Sequence, residues 1–124
     1  MEKKKIQIGY WDCRGVANSL RLTLIACNLE YDETIYDIVN GRDKWFEEDK
    51  KNLDLTMPDL PYFIHGDIKM TEHDAIMRYL AKTYKPDLLG KTIKDQTLVD
   101  QYQSFSTKIM TRFPDFVYFG KTKT

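Results

Sequence analysis

The sequence predicts an α/β domain, a mixed sheet with helices on both faces, followed by a helical segment. Three observations predict it. The apolar run Ile6-Gln7-Ile8 leads through Gly9 to Gly15 into apolar residues at helical spacing, Val16, Leu20, Leu24 and Cys27. A period-two stretch over Glu30 to Val39 follows, completing a βαβ unit whose crossover is right-handed. Later, Tyr62-Phe63-Ile64 and Ile68-Lys69-Met70 flank His65-Gly66-Asp67, which is the pattern of a hairpin.

Each element follows in order. Ile6 to Trp11 is a short strand that ends where a helix begins, a place where α/β proteins put ligands. The helix spans Gly15 to Leu29, and the second strand Glu30 to Val39. Asn40-Gly41 breaks the pattern, and the charged stretch Asp43 to Asn52 is a short surface helix with Trp45 and Phe46 as its only large apolar groups. Thr56 to Pro61 is a turn that feeds the hairpin. Thr71 is a candidate N-cap with Asp74 as a partial capping box, and Ala75, Ile76, Tyr79, Leu80 and Thr83 form the buried stripe of the next helix. Pro86 ends it, and Asp87 to Lys91 is a linker. A long helical pattern from Thr92 to about Val117 carries Val99, Tyr102, Phe105, Ile109, Met110, Phe113 and Phe116, with a break or kink expected at Pro114. The order βαβ, short helix, ββα is a thioredoxin-like layout with one helix left over.

Composition bounds the function. Apolar residues make up 42% of the 124 residues and aromatics 13%, as a packed core requires. Nineteen basic and 19 acidic residues cancel, so no electrostatic footprint for nucleic acid or an anionic membrane is expected. Lys3-Lys4-Lys5 and Lys121-Thr122-Lys123 read as solvated tails. No apolar run is long enough for a membrane span, and Ile6-Gln7-Ile8 is too short for a signal core. Cys13 and Cys27 have no CxxC partner, and His65 and His73 are too scattered for a metal site, so no metal is expected. The cysteines suit a reducing intracellular compartment, the cytoplasm first, with an organelle or large assembly as an alternative.

Four ordered motifs then stand out: Gly9-Tyr10-Trp11-Asp12-x-Arg14-Gly15, Arg42-x-x-Trp45, Asp59-Leu60-Pro61-Tyr62 and Thr71-Glu72-x-x-Ala75-Ile76. Together they resemble the glutathione transferases, most closely the mu class, from about Ile6 to Tyr118. The resemblance implies a thioredoxin-like glutathione-binding domain over residues 1–86. It also implies a linker and the first helix of an incomplete all-helical domain over 87–124. Tyr10 matches the catalytic tyrosine. Trp11, Arg42, Trp45, Lys50 (or Lys51, because the register slips by one), Leu60, Pro61, Glu72 and His73 match glutathione-binding positions. Val16 and Tyr118 match positions that face the second substrate, a hydrophobic electrophile. Glutathione enters as a substrate, and the partner is a second copy or a larger protein complex covering the last helix. The resemblance also implies a cis Leu60-Pro61 bond.

The chemistry fits those residue types. A free thiol has a pKa near 8.5, so only a few per cent is thiolate at neutral pH. A neutral tyrosine hydroxyl donates a hydrogen bond to the thiolate, and a helix N-terminus acts in the same direction. Arg42, a lysine and the Trp45 indole N–H suit the glycyl carboxylate, and the helix opened by Glu72-His73 suits the γ-glutamyl carboxylate. For Tyr10 the plainer alternative is a core tyrosine bonded to a backbone carbonyl. For Arg42 and Trp45 it is a solvated helix with one aromatic anchor. Cys13, near a helix start, is a candidate low-pKa exchange thiol or a small apolar filler.

Departures from the family pattern point elsewhere. His73 stands where a small hydroxyl residue is usual, Lys108 where the mu class has an acid, Met57 where an aromatic plugs the partner subunit, and Asp59 where asparagine is usual. The last helix lacks a cover within the chain. Two functions are therefore carried: a transferase that conjugates glutathione to electrophiles, and a catalytically degenerate domain that is a structural subunit of an assembly.

Overall fold

Ile6, Ile8 and Tyr10 leave β1 (Ile6–Trp11) on one face, and Gly9 and Trp11 leave it on the other, so one strand serves two cores. The computed structural model, which describes residues 4–119, shows what each face buries. After β1 come α1 (Ala17–Ala26), β2 (Tyr31–Tyr36), a π-helical turn (Lys44–Asp49) running into α2 (Lys50–Asn52), β3 (Tyr62–His65), β4 (Ile68–Thr71), α3 (His73–Tyr84), a 3-10 turn (Pro86–Leu89) and α4 (Ile93–Phe119). The strands lie in the order β2-β1-β3-β4, with β1 and β2 parallel and the other pairs antiparallel. The thioredoxin-like sheet is as the sequence predicts.

On the first face, Ile6, Ile8 and Phe63 from the sheet meet Leu20 and Leu24 of α1 and Ile76 and Leu80 of α3. On the second, Tyr36, Trp45, Leu55 and Tyr62 form a separate cluster under the π-helical turn. The Trp45 ring stands edge-on to Tyr36 at 5.6 Å and stacks on Tyr62 at 6.1 Å. The Tyr36 hydroxyl donates to Asp49 at 2.6 Å, and Lys44 donates to the same carboxylate at 2.8 Å. Burial pushes the Asp49 carboxyl up, but the Lys44 and Tyr36 bonds outweigh it and hold the group below its ordinary 3.8. A lowered folded value stabilises above the unfolded pKa and is lost as pH falls through the folded one. Asp49→Asn should therefore flatten the acid limb of a urea-midpoint profile below pH 3.8, leaving less to lose there.

Several boundaries differ from the sequence reading, each for a local reason. Helix α1 stops at Ala26 instead of Leu29, because Asn28 takes a left-handed φ of 58° and the Leu29 N–H closes onto the Leu24 carbonyl at 3.0 Å. Strand β2 stops at Tyr36 instead of Val39, because the Asp37 carboxylate accepts from the N–H groups of Val39 and Asn40 and turns the chain. Thr71 is not an N-cap. It ends β4, is buried, and its hydroxyl donates to the Met57 carbonyl at 2.8 Å, leaving Glu72 at the cap position. The α3 stripe is Ile76, Leu80 and Ala81, while Ala75 and Thr83 are exposed. The expected linker holds the 3-10 turn, and α4 runs through Pro114 without a break.

Helix α4 is tied to α3 by polar contacts. Asp74 accepts from Gln103 at 3.1 Å and from the Thr107 hydroxyl at 2.9 Å, and Arg78 faces Asp100 at 3.5 Å. Tyr102, Phe105, Ile109 and Phe113 are all more than half or half exposed, at 70%, 58%, 50% and 55%. The Phe116 side chain and the Lys121-Thr122-Lys123 cluster lie outside the described residues, as does Lys3.

Candidate functional site

Tyr10 sits at the carboxyl end of β1, on the face shared with Ile6 and Ile8, and is 9% exposed. Its ring leans toward the turn that enters α1. Gly15 has a left-handed φ of 41°, and a Cβ built on it would lie 2.4 Å from the Tyr10 hydroxyl oxygen. The turn thus needs glycine twice over, for its backbone and for clearance. Burial pushes the Tyr10 hydroxyl above its ordinary 10, against the opposing effects of the Val16 N–H and the Arg21 cation. The group therefore stays protonated at neutral pH and remains a donor. Val16 lies half-buried at the start of α1.

A second group gathers across the sheet. Trp11 packs on Phe46 at 6.1 Å and stands edge-on to Tyr36 at 6.2 Å. The Arg42 guanidinium carbon is 5.7 Å from the Trp11 ring centre and 5.3 Å from that of Phe46, and the Lys50 ammonium is 5.4 Å from Phe46. Phe46 is the residue that collects two cations beside Trp11, and the sequence reading assigned it no role. Lys51 goes elsewhere, to Glu47. Trp45 is 2% exposed, stacked on Tyr62 and in edge contact with Tyr36, the ring that Trp11 also meets.

The third group is the entry to α3. The Leu60-Pro61 bond is cis, Leu60 is half-buried and Pro61 buried, and the Leu60 N–H donates to Asp59 at 2.8 Å. Glu72 has φ 69° and ψ 101°, an uncommon conformation for a residue with a side chain. It lines a groove of about 320 Å³ with Leu55, Met57, Thr71 and Ala75. The His73 ring turns toward α4, with Nε2 3.2 Å from Asp74 and 3.4 Å from the Thr107 hydroxyl. Tyr118 falls on α4, and its side chain lies outside the described residues.

Of the two readings of Cys13, the exposed side chain does not suit an apolar filler, and its thiol is not lowered as an exchange thiol's would be. Burial and then the Asp12 carboxylate push it up, and α1 begins only at Ala17. Among the described residues, no group of three or more His, Cys, Asp or Glu side chains is placed to hold a metal ion, and no helix is long and apolar enough to cross a membrane. Arg21 and Glu33 carry no sequence signal, since they occupy ordinary polar positions on a helix and an edge strand. The Arg21 Nε donates to both Glu33 oxygens at 2.9 and 3.1 Å, and its carbon is 5.9 Å from the Tyr10 ring centre.

Known proteins share this fold and sequence pattern. The family model "Glutathione S-transferase, N-terminal domain" matches residues 6–82. A protein named glutathione S-transferase from Tyrophagus putrescentiae is 37% identical over 107 residues, covering 80% of this chain and 49% of that protein. The Mus musculus protein named glutathione S-transferase Mu 2 is 37% identical over 119 residues, covering 88% of this chain and 53% of its own. The crystal structure of the transferase Blo t 8 superposes with a TM-score of 0.79 at 35% identity, covering 95% of this chain and 51% of that one. The chain spans about half the length of the curated relatives it matches.

Proposed function

The chain belongs to the glutathione S-transferase family, and from that premise we propose that it binds glutathione and presents its thiolate to hydrophobic electrophiles, with Tyr10 as the catalytic donor. The observation that carries this reading is the Tyr10 hydroxyl, buried at a strand end against Gly15 and held in its protonated form. A hydrogen bond to a charged group is worth about 1.5–3 kcal/mol. One pKa unit is about 1.4 kcal/mol, so a single donor lowers a thiol pKa by roughly one to two units. A thiol near 8.5 would then be about a quarter to three quarters thiolate at pH 7.

The other residues take the tripeptide's charges. Arg42 and Lys50 supply cations for the glycyl carboxylate, with Trp11 beside them. Trp45, almost wholly buried between Tyr36 and Tyr62, contributes its indole N–H. Leu60 and Pro61 present backbone to the cysteinyl portion. Glu72 faces the γ-glutamyl end, and at His73 the free N–H groups at the start of α3 replace the side chain, which is turned to Asp74. Val16 and Tyr118 border the electrophile. In this reading residues 1–86 are the glutathione-binding domain, and 87–124 are a linker and the first helix of a helical domain. The site needs a reducing compartment such as the cytoplasm.

Calorimetry with glutathione tests binding, and a conjugation assay tests Tyr10. Tyr10→Phe should lower the conjugation rate by about 10- to 100-fold while glutathione affinity stays within about threefold. No binding at millimolar glutathione would overturn the proposal. A second reading, a structural subunit, is favoured by the open row Tyr102, Phe105, Ile109 and Phe113 on α4 and by exposed Met57. It predicts self-association or assembly without glutathione binding, which sedimentation of the same sample would reveal.

A further inference from the structure

We propose that Arg21 is a positioning residue for Tyr10, clamping the turn between β1 and α1 to strand β2 so that the tyrosine hydroxyl keeps its place beside Gly15. The guanidinium is used on two edges. Nε and Nη2 donate to the Glu33 carboxylate, while Nη1 donates to the carbonyls of Cys13 at 3.2 Å and Arg14 at 3.3 Å. Those carbonyls immediately precede Gly15. The Tyr10 ring lies against the same guanidinium. Arg21 and Glu33 side chains are 19% and 16% exposed, so this ion pair is far less screened than the surface pairs of the chain.

The clamp joins three elements that local propensity does not bring together. Glu33 reaches Arg21 because β2 runs parallel to β1, opposite the strand that carries Tyr10. Lysine cannot replace the arrangement, because one ammonium cannot span a carboxylate and two carbonyls with fixed geometry. Without the clamp, the residues from Asp12 to Arg14 keep the Asp12 N–H bond to Tyr36 and the Asn18 N–H bond to the Arg14 carbonyl, but lose their tie to Glu33. Arg21 does not touch the reacting thiol in this reading; it acts through the turn and through Tyr10. The catalytic consequence rests on the role proposed above for Tyr10, while the clamp itself does not.

Arg21→Lys preserves the charge and removes the fork. Three measurements on the folded variant separate positioning from stability. Urea unfolding reports structure, calorimetry reports glutathione affinity, and thiolate absorbance against pH reports the bound thiol. The expected result is affinity within about threefold and a thiolate midpoint raised by about half a unit or more. An unchanged midpoint in a folded variant would overturn the proposal. Glu33→Gln keeps the shape of the pair and serves if Arg21→Lys does not fold; it should move the midpoint in the same direction, and an unmoved midpoint counts equally against the clamp.

If the parent chain binds no glutathione, the function proposed for the site fails but the clamp is still tested. Cys13 is exposed and sits in the clamped turn, so its rate of reaction with a small aromatic disulfide, in a Cys27→Ser background, reports the turn's freedom. Arg21→Lys should raise that rate by about threefold or more, since the charge is retained and only the tie is lost. A rate equal to the parent's would show that the turn does not depend on Arg21.

Discussion

Trp45→Ala should lower the free energy of unfolding by about 3–5 kcal/mol, read from urea or thermal melts. The size follows from position. Trp45 is 2% exposed and is the wedge between Tyr36 and Tyr62, so its removal leaves a void that neither ring fills without leaving its own contacts. The Tyr36 ring that Trp45 supports also meets Trp11, which packs on Phe46, where Arg42 and Lys50 converge. Glutathione affinity should fall with stability in this variant. Phe46→Leu, which leaves the core cluster intact, should weaken binding without a comparable loss of stability. A change below about 1 kcal/mol on Trp45→Ala would mean that the second face is not a cooperative core.

Gly15→Ala should cost about 1–3 kcal/mol of stability and reduce conjugation about as far as Tyr10→Phe does. Two effects add. A φ of 41° is unfavourable for alanine, and the new Cβ would lie 2.4 Å from the Tyr10 hydroxyl and 2.9 Å from its ring carbon. Tyr10 is nearly buried, so it has little room to retreat except out of its site. Gly66→Ala separates the two effects. Gly66 has φ 64° in the β3–β4 turn, but a Cβ there meets only a Lys4 side-chain carbon at 3.6 Å. Gly66→Ala should therefore lose stability through backbone strain alone and leave the conjugation rate unchanged. Equal effects of the two substitutions on the rate would show that clearance for Tyr10 is not what Gly15 provides.

The elements were legible because each is written in local periodicity. Leu20 and Leu24 mark a helix face, Ile6 and Ile8 a strand face, and His65-Gly66-Asp67 a hairpin turn; all three are found, with His65 joining the strand so that Gly66-Asp67 alone make the turn. The differences fall where side-chain bonding, or the rest of an element, overrides the local pattern. Thr71 has the right neighbours for a cap, but its hydroxyl bonds to Met57, 14 residues away in sequence. Asp37 stops β2 by turning its carboxylate onto its own chain, which period-two alternation does not register. Pro114 removes one helical hydrogen bond without ending a helix that has many others.

The candidate site divides in the same way. Tyr10, Trp11, Arg42, Trp45, Leu60, Pro61, Glu72 and His73 were named from motifs, yet no motif distinguishes the packed ring of Trp45 from an available one. Lys50 and Lys51 were equivalent on paper; the turn of the helix puts Lys50 over Phe46 and Lys51 beside Glu47. The orientation of His73 depends on Thr107, 34 positions later. Arg21 and Glu33 carry no motif, and only the parallel pairing of β1 and β2 brings them together under Tyr10.

From its residues alone this chain determines its family, its order of elements and the tyrosine at the end of its first strand, because turns, periodicity and motif spacing are local properties of a polymer. Tertiary structure alone decides which charges meet which rings, which hydroxyls cap and which only pack, and how Tyr10 is held. Those outcomes depend on pairs far apart in sequence, whose meeting is set by the order of the strands.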